Sequence, residues 1–273
     1  MTRDDAAILG DSCQEYAADH WRDGQVESVQ TWVAEEMPVA LVYNGISHAV
    51  MLASPRDLEN FALGFSLSEM ILQDRAELHD LEIVPQSTGI EIRMTIASAR
   101  FNDLKQRRRN LTGRTGCGIC GVESLEQAIR QPAPVEQGVT ITARMLHAAF
   151  KKMNGLQRLQ SKTGAVHASG WVIPDEGVRF VREDVGRHNA LDKLIGAVAS
   201  QNIDFQAGFV IVTSRASYEM VQKAATVGIS LLAAISAPTG LAIRLAEKTG
   251  LTLIGFTRNH HHVVYANPRR ITK

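Results

Sequence analysis

Cys117 and Cys120 are separated by two residues in the segment Gly116-Cys117-Gly118-Ile119-Cys120-Gly121, directly after Arg107, Arg108, Arg109 and Arg114. Two thiols on a glycine-rich loop beside positive charge suit thiolate chemistry better than packing. The thiolate is the reactive form, and a nearby Arg or a helix N-terminus pulls its pKa below the free value of about 8.5. A helix is expected over residues 122–129, so both influences are at hand. Cys13, alone near the start of the chain, is most simply inert.

Several chemistries compete for the Cys pair. Cys-x-x-Cys is half of a tetrahedral zinc site, and the chain has no second pair. A zinc nucleotide deaminase needs His-x-Glu for its third ligand and its proton-shuttling Glu, and no His-x-Glu occurs anywhere. A thioredoxin-like pair sits at the first βα turn of a short domain, whereas these thiols fall between two expected domains. A carrier of sulfur as a persulfide fits an exposed loop that meets both a donor and an acceptor. On the residues alone that reading leads only modestly.

A second constellation lies just past the ends of the expected strands. In open α/β sheets ligands bind beyond the carboxyl ends of the strands. Those positions hold Asp184, Arg187 and His188, then Thr213-Ser214-Arg215, then Ser236-Ala237-Pro238-Thr239, then Phe256-Thr257-Arg258. If the strand after His167 runs antiparallel to its neighbour, His167 joins the same rim. Helix starts plus Arg187, Arg215 and Arg258 suit a phosphate-bearing ligand, and Phe256 offers an aromatic face to a base. Plainer roles exist for each residue. Asp184, Ser236 and Thr239 are N-cap candidates. His188 and Asp192 read as a surface pair, and His167 as a hydrogen-bonded structural histidine. His260-His261-His262 reads as a solvated turn, and Arg107 to Arg109 as a solvated face.

The elements that must position these groups are legible from patterning. At 273 residues, zero formal net charge and 45% hydrophobic content, the chain can bury a sizeable core and carries no global field toward nucleic acid or membrane. Three cysteines make no disulfide framework, which with the lack of a signal-like start leads us to expect a cytoplasmic protein. Residues 1–28 read as a loose polar tail. Residues 29–104 read as a small α+β domain: a hairpin over 38–54 turning at Asn44-Gly45, a helix opened by Ser54 and Pro55 with a stripe of Leu58, Phe61, Ala62, Phe65 and Leu72, and strands at 81–84 and 90–96. Residues 105–136 form the basic Cys-x-x-Cys loop, a helix and a stiff Pro132/Pro134 linker. Residues 137–273 show a helix over 142–154, a hairpin over 166–182, then alternating helices and strands, which implies parallel strands with crossover helices in a three-layer α/β domain.

Taken together, Thr115-Gly116-Cys117-Gly118-Ile119-Cys120-Gly121, Glu183-Asp184-Val185-Gly186-Arg187-His188-Asn189 and Gly255-Phe256-Thr257-Arg258 in this order resemble the FdhD/NarQ family of formate dehydrogenase accessory sulfurtransferases. The likeness runs from about residue 36 to 268. It implies a cytidine-deaminase-like fold without the catalytic zinc, a homodimer, and no metal of its own. It implies that sulfur is received from a cysteine desulfurase as a persulfide on Cys117, with Cys120 assisting. The acceptor implied is the molybdenum cofactor, bis-molybdopterin guanine dinucleotide, before its insertion into formate dehydrogenase. The family's cofactor-binding segment corresponds to Phe256, Thr257, Arg258, Asn259, His260 and His261. The alternative is a non-catalytic chaperone that only holds the guanine-containing cofactor, its Cys pair a redox or metal latch. The chain departs from the family pattern at Met70, Ala165 and Ser214, where glycine is usual.

Overall fold

The computed structural model of the chain describes residues 12–112, 132–258 and 260–273, with the side chains of 107–112 left aside. Cys117, Cys120, Arg114, Asn259 and the helix expected over 122–129 lie outside the described residues.

The first correction comes at the start. Residues 12–27, expected to be part of a loose tail, belong to a long antiparallel hairpin of β1 (Cys13–Arg22) and β2 (Gln25–Ala34). Its turn is Asp23-Gly24, with φ of 50° and 80°, the left-handed pair that a two-residue hairpin loop demands. Both faces of the strands are largely open to water; Trp21 at the tip is 71% exposed. Only the base is anchored, where Cys13 and Trp32 pack with Leu159 and Val166.

A four-stranded sheet comes next, in the order β4-β3-β6-β5. It is built from β3 (Met37–Tyr43), β4 (Ile46–Ala53), β5 (Leu78–Gln86) and β6 (Gly89–Ile96), with the expected Asn44-Gly45 turn between the first two. Helix α1 (Leu58–Ser68) starts three residues later than Ser54 as N-cap suggests, and Ser54 caps nothing. Its hydroxyl instead accepts from the Val185 amide, and its own amide donates to Asp184. Nine of the eleven residues of α1 are buried, so the helix is enclosed all round rather than along one stripe, and Leu72 lies beyond its end. Lys105 and its successors do not open a loop: they continue helix α2 (Ser98–Thr112), as Ala, Lys, Gln and Arg favour.

The second half contains β7 (Ile141–Thr142), α3 (Ala143–Asn154), α4 (Arg158–Thr163), β8 (His167–Ile173) and β9 (Gly177–Asp184). It continues with α5 (Arg187–Ser200), β10 (Phe209–Val212), α6 (Tyr218–Thr226), β11 (Leu231–Ala234) and α7 (Gly240–Thr249), then β12 (Thr252–Arg258), β13 (His261–Ala266) and β14 (Ile271–Thr272). Six of these strands form one sheet in the order β13-β12-β11-β10-β8-β9. Strands β10, β11 and β12 are mutually parallel, β8 opposes β10, and β9 opposes β8, so β9 to β12 all point the same way. Alternate residues divide between the faces. Val210, Val212, Leu232 and Ala234 meet α5, α6 and α7, while Phe209, Ile211, Leu231 and Ala233 meet Leu146, Ala149 and Met153 of α3. This is the expected mixed α/β, three-layer arrangement.

The two halves share one core. Buried residues of α1 and of the first sheet run without a break into Leu191, Leu194, Ile195 and Val198 of α5. Glycines permit the contact: a Cβ on Gly64 would stand 1.7 Å from the Asp192 carbonyl oxygen, and one on Gly196 1.9 Å from that of Asn60. Among the described residues no helix is long and apolar enough to cross a membrane.

Candidate functional site

The strand directions place five segments on one rim. His167 stands opposite Asp184 in the β8–β9 register, which brings the start of β8 beside the end of β9. Neighbouring segments are laced by short contacts. The Ala168 amide donates to Thr213 Oγ1 at 2.8 Å, the Thr239 amide to the Ala216 carbonyl at 3.0 Å, and the Phe256 amide to the Ser236 carbonyl at 3.2 Å. Thr239 also caps α7, accepting from the Ala242 amide, as its plainer reading held. Phe256 lies at φ 52°, within the irregular β12–β13 register between Gly255 and Arg258. A left-handed aromatic residue is uncommon, and such strain gathers where a segment is held for function.

Beyond the ends of the central strands opens a cleft of about 840 Å³, within the usual range for ligand pockets of roughly 300–1,000 Å³. Thr213, Thr257, Arg258 and His260 line it from the rim, and Arg144, His147 and Lys151 from α3. Among the described residues no Asp or Glu lines it. Thr257 is only 1% exposed, yet among the described residues its hydroxyl has no hydrogen-bond partner. Such a group costs about 1–3 kcal/mol if left unsatisfied; the oxygen is itself shielded from solvent, although Thr257 belongs to the cleft lining. His147 Nε2 lies 3.2 Å from His262 Nδ1, and the His147 ring stands 5.6 Å from that of His260. Burial, then the neighbouring imidazoles, hold the pKa of His147 and of His262 below the usual histidine value.

A second basic cluster lies around the starts of α5 and α6. Burial first, and then the charge of Arg187, hold the pKa of His167 low. His188 Nε2 meets Glu219 at 2.7 Å, with Ser217 Oγ at 3.4 Å. Burial keeps the pKa of His188 low as well; Glu219 opposes the shift, and Arg187, Lys223 and Arg215 add to it.

The sequence-derived candidates therefore separate. Thr257, Arg258 and His260 meet in the cleft, Arg187, Arg215 and His167 gather in the second cluster, and Phe256 is half-buried at the bulge between strands. His261 is exposed and begins β13, so the three histidines form a turn and a strand rather than a solvated turn alone. Asp184 is a correction. It is fully buried, and its oxygens accept from the Ser54 and Gly186 amides, from Asn189 Nδ2 and from Lys193 Nζ. Every direction in which it would meet a ligand is occupied by the chain, and its task is to tie the two halves together at the start of α5. The His188–Asp192 surface pair is corrected too, since Asp192 is buried and accepts from Ser68 Oγ and Lys223 Nζ. Burial works against the charge on Lys223, but Asp192 and Glu69 outweigh it and raise its pKa. Sequence reasoning missed Arg144, His147 and Lys151. Their i, i+3, i+7 spacing was the available signal, opposite the apolar stripe of Leu146, Ala149 and Met153.

Comparison with known proteins gives a consistent result. The family model described as the FdhD/NarQ family matches residues 34–272. The sulfur carrier protein FdhD of Cupriavidus necator is 56% identical over 256 residues, covering 94% of this chain and 89% of that one. Its namesake in Bordetella petrii is 54% identical over 239 residues, covering 88% and 86%. In fold, the chain is similar to a crystal structure from Desulfotalea psychrophila described as a formate dehydrogenase accessory protein. The TM-score is 0.75 at 23% identity, over 95% of this chain and 99% of that one.

Proposed function

This chain belongs to the FdhD/NarQ family, and on that premise we propose that it is a sulfur carrier that serves formate dehydrogenase. The donor in this reading is a cysteine desulfurase. The Cys117 thiolate attacks the terminal sulfur of the donor's persulfide: a new S–S bond forms at Cys117, the donor's S–S bond breaks, and the donor cysteine leaves as a thiolate. The acceptor is the molybdenum cofactor, bis-molybdopterin guanine dinucleotide, which is cargo and substrate rather than a resident group.

The observation that carries the cofactor half of this reading is the cleft at the strand ends, whose charged lining among the described residues is wholly basic. The cofactor is strongly anionic through its diphosphates, and the residues present fit that chemistry. Arg258, Arg144 and Lys151 supply charge, and the Thr257 hydroxyl, unpartnered among the described residues, lies in the wall beside them. Arg187 and Arg215 add positive charge along the same rim.

Intact-mass measurement after incubation with a desulfurase and cysteine tests the carrier half. The native chain gains one sulfur, and the Cys117→Ala chain gains none. An unchanged native mass, or undiminished loading of the variant, would overturn the reading. In cells, Cys117→Ala that leaves formate dehydrogenase active would favour a protein that merely holds the cofactor.

A further inference from the structure

His147, which lines the cleft, makes an imidazole pair with His262 of β13. With Nε2 of His147 3.2 Å from Nδ1 of His262, one hydrogen fills the contact when both rings are neutral. The charged groups that line the cleft around this pair are Arg144 and Lys151 from α3 and Arg258 from the end of β12. His260 lines it from the turn, and the charge of His261, from β13, is also felt at both rings. All of these are cationic or become so on protonation. Among the described residues of the cleft wall no carboxylate offsets a proton added to the pair, in keeping with the lowered pKa of both rings. An anion seated between α3 and the rim supplies that missing charge and raises the pKa of the same rings.

We propose that His147, His262 and His260, with Arg144 and Lys151, form a diphosphate subsite on helix α3 that takes up a proton as the ligand binds. This rests on the cofactor reading above and assigns its diphosphate to one wall of the cleft. Proton and anion then favour each other reciprocally, as any two linked ligands must. One linked proton makes the affinity fall about tenfold per pH unit between the pKa of the free pair and that of the occupied one.

The test is calorimetric titration of the full chain with GDP-mannose, whose diphosphate diester has no titrating group between pH 5.5 and 8.5. Titrations in buffers of different ionisation enthalpy count the protons bound. The expected result is uptake approaching one proton per ligand near pH 7, with a Kd that rises roughly tenfold per unit over part of the range above it. His147→Gln should lose most of the uptake and flatten the pH dependence. Arg144→Gln should weaken binding at every pH yet keep the uptake. A proton count of zero, a Kd unchanged from pH 6 to 8, full uptake in His147→Gln, or no binding at all would each overturn the subsite. The native chain gives the proton count without any variant. The carrier reading stands or falls separately on sulfur loading of Cys117, which needs no nucleotide.

Discussion

Lys193 Nζ lies 2.6 Å from Asp184 Oδ2, and neither side chain has any exposure to solvent. The same ammonium donates to the Ser54 carbonyl at 2.9 Å, so one buried ion pair joins the first sheet, the end of β9 and helix α5. Removing one member strands the other charge, at a cost of about 3–5 kcal/mol. Asp184→Ala and Lys193→Met should each lower stability by about that amount in urea unfolding, and the double variant should lose less than the sum of the two. Additive losses would show that the two do not act as a pair.

Gly64 and Gly196 predict a tight steric limit, set by backbone on both sides. Added methyl groups would overlap backbone oxygens of the facing helix, at 1.7 and 1.9 Å, and backbone cannot step aside as a side chain does. Overpacking costs about 1–3 kcal/mol and more where the wall is rigid. Gly64→Ala should lower the thermal midpoint sharply or abolish soluble expression, whereas Gly155→Ala, with no neighbour closer than 3.7 Å, should change little.

Thr257→Val separates binding from stability. The hydroxyl has no partner among the described residues, so an apolar isostere should leave the chain as stable or stabilise it by up to about 1 kcal/mol. Nucleotide affinity should nevertheless fall. A clear loss of thermal stability would mean that the hydroxyl already serves the fold.

His167 and His188 set a pH dependence of stability. Both have a folded-state pKa below the usual value, through burial first and then Arg187 for His167, and for His188 through burial, joined by Arg187, Lys223 and Arg215, against the opposing Glu219. Unfolding therefore binds protons in this range, so their contribution is complete above the unfolded-state pKa of about 6.5 and is lost as pH falls through the folded-state value. The thermal midpoint should decline from pH 7.5 to 5, and His188→Gln should flatten that decline. A midpoint rising over the same interval would contradict this.

The alternation of β-rich runs and helices in residues 137–273 was legible because buried parallel strands such as Phe209–Val212 and Leu231–Ala234 are short, wholly apolar runs flanked by amphipathic helices. The rim followed from that alternation by geometry. The first hairpin was not read because its strands face water on both sides and have no two-residue alternation, although Asp23-Gly24 announces the turn. The buried role of Asp184 was hidden because its partners lie 130 positions away at Ser54 and 9 away at Lys193, a long-range relation that no local pattern encodes. Arg144, His147 and Lys151 escaped for a simpler reason, since charge on the outer face of a helix usually means only solvation.

The enclosed position of α1 has a consequence for anyone dividing this molecule. Severing the backbone between residues 112 and 132 would leave the pieces gripping each other, because α1 is clasped on one side by its own sheet and on the other by α5. Produced singly, the later fragment would present the apolar flank of Leu191, Leu194 and Ile195 to water and should precipitate; synthesised together, the two fragments should co-purify as a non-covalent whole.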